Sequence, residues 1–171
     1  GITAWTELWY PVTRLVRLVK ETLPGAHVVL GGPHVGIYPA QTLTFPGVDS
    51  IVLGDGEEPT LSLLEHLESG ATPGPGLYLR GDAPQEFDFH VEKDLDRLPI
   101  PDRTLLPLGD YSSILARGSS VSTMITSRGC PFHCTYCKLN FQKTVYHGAR
   151  RVVEEMAAVA ALGIRELEIY D

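Results

Sequence analysis

Apolar residues recur along this chain with two periods. Val12, Leu15, Val16, Val19 and Leu23 repeat at helical spacing, with Arg14, Arg17, Lys20 and Glu21 opposite them. This predicts an amphipathic helix from about Pro11, a residue suited to a first helical turn, that stops at Pro24-Gly25. Gly1 to Trp5, His27 to Leu30 and Ser50 to Leu53 are short apolar runs bounded by turn residues, and they read as buried strands. A short helix is expected over Pro39 to Leu43. A longer one begins near Pro59, with Leu63, Leu64 and Leu67 inward, and ends at Ser69-Gly70. Short strands alternating with helices predict a parallel sheet covered on both faces, with ligands at the strand C-termini.

A second stretch repeats the pattern after a break. Ala71 to Gly76 is rich in Pro and Gly, Leu77 to Arg80 is a candidate strand, and Gly81 to Tyr111 lacks periodicity. Paired prolines in Leu98-Pro99-Ile100-Pro101-Asp102 mark an extended connector. Val121 to Thr126 then reads as a strand and Arg150 to Leu162 as a helix capped by Gly163. Glu166 to Asp171 is the next strand. On that helix Val152, Val153, Met156, Val159 and Ala160 are expected inward, and Glu154-Glu155 on the wet face. Strand, loop, helix, strand is one βαβ unit. The expected division is 1–70, a connector over 71–120, and 121–171. The chain opens at Gly1 inside one apparent strand and stops at Asp171 at the end of another, which predicts a piece of a longer protein.

Composition narrows the class. With 43% hydrophobic residues the chain is suited to a globular fold, and its apolar runs fall far short of the ~20 residues that span a bilayer. A net charge of −7 without a Lys/Arg stripe gives no support for nucleic-acid binding. Neither a membrane nor a nucleic acid is therefore an expected partner.

The chemistry concentrates in Ser127-Arg128-Gly129-Cys130-Pro131-Phe132-His133-Cys134-Thr135-Tyr136-Cys137, which holds all 3 cysteines of the chain. Thiolates select iron–sulfur clusters, zinc or Cu(I). Four-iron clusters usually take four cysteines, so three would leave one iron without a protein ligand. Zinc held by the three cysteines with His133 or His147 is the alternative on the residues alone. A disulfide would leave one thiol over and would need an oxidising compartment; clustered thiols favour metal and the cytoplasm.

The C-x3-C-x2-C spacing, the lack of a fourth cysteine and the aromatic Tyr136 before the last ligand closely resemble the signature of radical S-adenosylmethionine (radical SAM) enzymes. The resemblance implies a 4Fe-4S cluster on Cys130, Cys134 and Cys137, with SAM chelating the fourth iron. Electron transfer would yield methionine and a 5′-deoxyadenosyl radical. Tyr136 would lie near the adenine. Arg128 would pair with the SAM carboxylate or cap the strand end, and Asp171 would help to hold SAM. No catalytic residue beyond the cluster ligands is assignable.

Upstream, Thr3-Ala4-Trp5, Gly31-Gly32-Pro33-His34 and Gly54-Asp55-Gly56-Glu57 resemble the cobalamin-binding domain that many radical SAM enzymes carry. So does the connector from Leu95 to Asp102. This implies the C-terminal part of a flavodoxin-like, doubly wound α/β sheet, then the first βαβ unit of a partial β/α barrel. Thr3, Gly31, Gly32, His34, Gly54 and Gly56 become cofactor-binding candidates. The family's D-x-H-x-x-G loop has no match in the chain, and its S-x-L is Thr3-Ala4-Trp5, so the cobalt's lower ligand is unassigned. His34 is expected to bond to backbone or to touch the nucleotide tail. The function implied is radical methyl transfer from cobalamin to an unactivated carbon of a small molecule, with flavodoxin or ferredoxin as electron donor. Cyclisation or rearrangement is the second expectation, and a non-catalytic zinc- or corrinoid-binding module is the rival. The piece alone is expected to be inactive.

Overall fold

Glycine-bounded apolar triplets become the strands of the first sheet. A computed structural model describes residues 1–118, 120–137 and 143–171. Two units emerge: Gly1–Val91 with described residues 135–137, and the remaining residues from Glu92 onward.

In the first unit, β1 (Ile2–Thr3), β2 (Val29–Gly31) and β3 (Ser50–Val52) run parallel, and β4 (Leu77–Leu79) joins β3 antiparallel. The order is β1-β2-β3-β4, with Thr3 opposite Gly31 and Leu30 opposite Ile51. Three helical segments link β1 to β3: α1 (Trp9–Thr22), α2 (Pro33–Ile37) and α3 (Pro39–Leu43). The helix α4 (Glu57–Ser69) links β3 to β4. Side chains alternate across the sheet, and the packing follows. Leu30, Ile51 and Leu53 join Val12, Val16, Val35, Leu43 and Val48 in one core. Val52 packs with Leu63 and Leu77 in a second. Each such buried side chain stabilises the fold by roughly 1.5–3 kcal/mol. The sheet is thus covered on both faces, as the alternation predicts.

Two helix faces differ from expectation. In α1, Val12 and Val16 are buried, but Leu15 and Leu23 are exposed. In α4 Pro59 and Leu63 are buried, whereas Leu64 and Leu67 are exposed. Leu64 follows Leu63 by about 100° around the helix axis and so faces away from the covered side.

In the second unit, β5 (Val121–Met124) pairs in parallel with β8 (Glu166–Ile169), and α5 (Ala149–Ala161) connects them. Between β5 and α5, β6 (Ser127–Arg128) pairs antiparallel with β7 (Val145–Tyr146). The connector is a series of 3-10 turns, Leu95–Arg97, Arg103–Leu105 and Leu108–Asp110. Asp94 and Asp102 accept backbone N–H bonds from Asp96 and Thr104 at the starts of the first two.

The inner face of α5 overturns the expected stripe. Arg151, Glu155 and Val159 are buried, whereas Val153 and Met156 are exposed, and Glu155 is 4% exposed instead of lying on the wet face. The reason is a charged partner supplied by the connector: Arg103 Nη2 donates to Glu155 Oε1 at 2.6 Å, and Arg151 Nη1 donates to Glu155 Oε2 at 2.9 Å. A polar face is buried here because its charges are paired.

Candidate functional site

The parallel strands of the first sheet end in the loops that carry the expected cofactor residues. Ala4 N–H donates to the Gly31 carbonyl (2.8 Å), and His34 N–H donates to the Ala4 carbonyl (2.9 Å), so the Thr3 and Gly31 loops are stitched together. Gly32 has φ +95°, and a Cβ there would lie 2.8 Å from Thr3 Cγ2 and 3.1 Å from the Ala4 carbonyl. Gly54 has φ +89°, and a Cβ would strike the His90 carbonyl. His90 N–H donates to the Leu53 carbonyl (3.0 Å), and Asp55 N–H donates to the His90 carbonyl (2.8 Å). Protein backbone and side chains therefore already fill the space at Gly32 and Gly54. Gly56, just before α4, has nothing within 4 Å of its Cβ position. Of these three glycines, Gly56 has the room for a ligand to lie against the backbone, which is what a cofactor loop needs.

His34 is a packed residue, 4% exposed. Its ring stacks on Trp9 at 4.2 Å with Tyr38 at 5.1 Å, and its Nδ1 shares a 3.2 Å hydrogen bond with the Thr6 hydroxyl. Burial holds its pKa below the ordinary histidine value and favours the neutral ring. Its Nε2 is buried without a hydrogen-bond partner among the described residues. The ring is held in side-chain packing between Trp9 and Tyr38.

The three cysteines sit on an excursion from a narrow neck. Three pairings form that neck. Thr126 accepts at its carbonyl from His147 N–H (2.9 Å), Ser127 pairs with Tyr146, and Arg128 pairs with Val145. Gly129 (φ +93°) closes the neck against the Lys143 backbone, where a Cβ would collide. Beyond it Cys130 is half-buried, and Cys134 and Cys137 are exposed; all three are free thiols. Among the described residues no three His, Cys, Asp or Glu side chains stand gathered around a metal position. The donor set suits a soft metal, and three thiols on one loop can hold a cluster with one position left open. Tyr136 is 87% exposed, and Arg128 lies in β6.

Asp171 and His147 flank the neck. Asp171 Oδ1 accepts from Thr126 N–H (2.7 Å) and Ser127 N–H (2.8 Å), and Oδ2 accepts from the Thr126 hydroxyl. The Thr126 hydroxyl is the main cause that holds this carboxylate below its ordinary pKa. His147 Nδ1–H donates to Asp96 Oδ1 (3.1 Å), and that carboxylate also takes Gly148 N–H at 2.9 Å, just before α5. Gly148 N–H, then His147, lowers the Asp96 pKa. The roles of Thr126, Asp96 and the β7 pair escaped the sequence reading. The one local signal was the apolar pair Val145-Tyr146 beyond the cysteine loop.

Among the described residues no helix is long and apolar enough to cross a membrane. Residues 1–64 match the family model for the B12 binding domain. An uncharacterized methyltransferase of Pyrococcus horikoshii is 32% identical over 100% of this chain and 39% of its own length. The cobalamin-dependent radical SAM methyltransferase TokK of Streptomyces tokunonensis is 31% identical over 72% of this chain and 19% of its own. Anaerobic magnesium-protoporphyrin IX monomethyl ester cyclases are also relatives. The radical S-adenosylmethionine methyltransferase TsrM of Kitasatospora setae, solved with cobalamin and a 4Fe-4S cluster, shares the fold. Its TM-score is 0.69 at 18% identity, over 96% of this chain and 34% of that one. The chain therefore spans well under half the length of these relatives. Residues 1–64 thus match a B12 binding domain, and the relatives of the chain include a cobalamin-dependent radical SAM methyltransferase.

Proposed function

We propose that this chain carries the cobalamin-binding and cluster-binding parts of a radical SAM enzyme that transfers a methyl group to an unactivated carbon. One observation carries the reading. A B12 binding domain precedes, on one chain, a C-x3-C-x2-C excursion that leaves the C-terminal end of a parallel strand. That end of a strand is where β/α folds build their sites.

When bound, a 4Fe-4S cluster would supply one electron to SAM, and cobalamin would carry the methyl group. Cys130, Cys134 and Cys137 would hold such a cluster as thiolates, and three protein ligands would leave it a position open to SAM. The β6–β7 neck and Gly129 fix where the loop begins and ends. The loop at Gly56 gives a corrinoid room to lie close to the backbone. A small-molecule substrate and a flavodoxin or ferredoxin complete the scheme, and free thiols suit a reducing cytoplasm.

Anaerobic reconstitution of the chain with iron and sulfide tests this. The expected result is a brown protein with about four irons per chain and, after reduction, an EPR spectrum that changes when SAM is added. A colourless protein holding one zinc overturns it. Ring formation is the second reading, because cyclases are among the relatives. Product mass from the whole enzyme separates them: one methylene is gained in methyl transfer, and hydrogen is lost in ring closure.

A further inference from the structure

The ladder between β5 and β8 ends at Met124 and Ile169, with Tyr170 N–H donating to the Met124 carbonyl (3.0 Å). A side chain takes over. Asp171, the residue after Tyr170, accepts both N–H groups on one oxygen and the Thr126 hydroxyl on the other. On the opposite side the Thr126 carbonyl takes His147 N–H (2.9 Å). Thr126 is thus held from both directions at the point where the chain leaves β5 for the cysteine hairpin. Charge-assisted bonds of this kind are about twice as strong as neutral ones.

We infer that Asp171 is a positioning residue: its carboxylate fixes the root of the cysteine hairpin and so sets the entry of Cys130 to the metal. The metal part of this inference rests on the proposed cluster; the anchoring of the hairpin does not. A carboxylate has about four acceptor sites, and at least three are committed to Thr126 and Ser127, with the Ser127 side chain bonding to it as well. The expected role for this aspartate, a direct hold on SAM, leaves those three bonds unexplained. The positioning role accounts for each of them.

Hydrogen exchange and reconstitution on D171A, D171N and T126V test the inference in the full chain. In the metal-free protein, Thr126 and Ser127 amides should exchange about tenfold faster or more in D171A, with the helix α5 unchanged. D171N, whose amide oxygen can still accept both N–H groups, should stay near wild type. T126V keeps its own backbone N–H bond and should show a smaller acceleration. After reconstitution, D171A and T126V should lose iron faster to a chelator and give an altered EPR spectrum without SAM, while D171N recovers. T126V and D171N preserve the test if D171A does not fold. Unchanged exchange in D171A, with only the effect of SAM lost, overturns the inference. If the wild-type chain takes up no iron, the cluster reading fails, and the exchange rates still decide the anchoring.

Discussion

Glu155 and Arg103 meet at 2.6 Å across 52 positions of sequence, and both side chains are at least nine-tenths buried. Arg103 reaches further: its Nη2 donates to the Thr123 carbonyl (2.8 Å) and its Nε to the Ser122 hydroxyl (3.2 Å). One guanidinium therefore ties an irregular connector to β5 and to α5. Burial alone would raise the Glu155 pKa, but hydrogen bonds from Arg103 and Arg151 outweigh it and hold the group below its ordinary value.

Removing either partner should cost more than the pair contributes, because the other charge stays buried. Glu155→Ala, which leaves two buried guanidinium groups without their carboxylate, is expected to destabilise the second unit by about 3–5 kcal/mol, and Arg103→Ala, which leaves Glu155 its bond from Arg151, by less. Urea unfolding measures it. A loss under about 1 kcal/mol would mean that water reaches the charge left behind.

A pH-dependent contribution is expected in the first unit. Lys20 Nζ lies 2.5 Å from Asp49 Oδ2 and also donates to the Ala26 carbonyl (2.7 Å), and Val28 N–H donates to the same Asp49 oxygen. Burial would raise the Asp49 pKa, but the bonds from Lys20 and Val28 lower it overall. A lowered carboxylate stabilises the fold above its unfolded pKa of ~3.9 and stops doing so as pH falls through the folded value. The unfolding midpoint of the wild type should thus fall below about pH 4 through Asp49, and in Asp49→Asn that part of the fall should disappear. Parallel pH profiles for the two proteins would contradict this.

Strand positions and the cysteine loop were legible because each depends on local sequence. The triplets around Leu30 and Ile51 sit between glycine-rich turns, and the cysteine spacing is a pattern within eight residues. The polar stripe on α5 was not legible. Periodicity counts apolar residues, and Val153 and Met156 look as buried as Val159 until Arg103 arrives from the connector to pair with Glu155. The covered face of α4 was hidden for a related reason: which leucines are buried depends on what the rest of the fold packs against the helix. The root of the cysteine hairpin needs Asp171, 45 positions beyond Thr126. No window along the chain contains such a contact.

Gly54 and Gly56 looked alike in sequence and should part in experiment. Gly54→Ala must place a Cβ on the His90 carbonyl at φ +89°, so the cofactor-free chain should lose about 1–3 kcal/mol or more. Gly56→Ala meets open space at φ −86° and should change stability by less than about 1 kcal/mol. If Gly54 served only to admit a ligand, its alanine variant would keep full stability and lose only cobalamin.

Replacing one thiol should separate the two functions of the chain. Serine is a poor ligand for a soft metal near neutral pH, so Cys134→Ser should reduce iron uptake after reconstitution to background. Neither core of the first unit contains a cysteine, and Cys134 is exposed. The circular dichroism and unfolding midpoint of the first unit should therefore match wild type, and any cobalamin bound by the first unit should remain. Full iron content in the variant would show that Cys134 is not a ligand. An unfolded first unit would show that Cys134 supports the sheet.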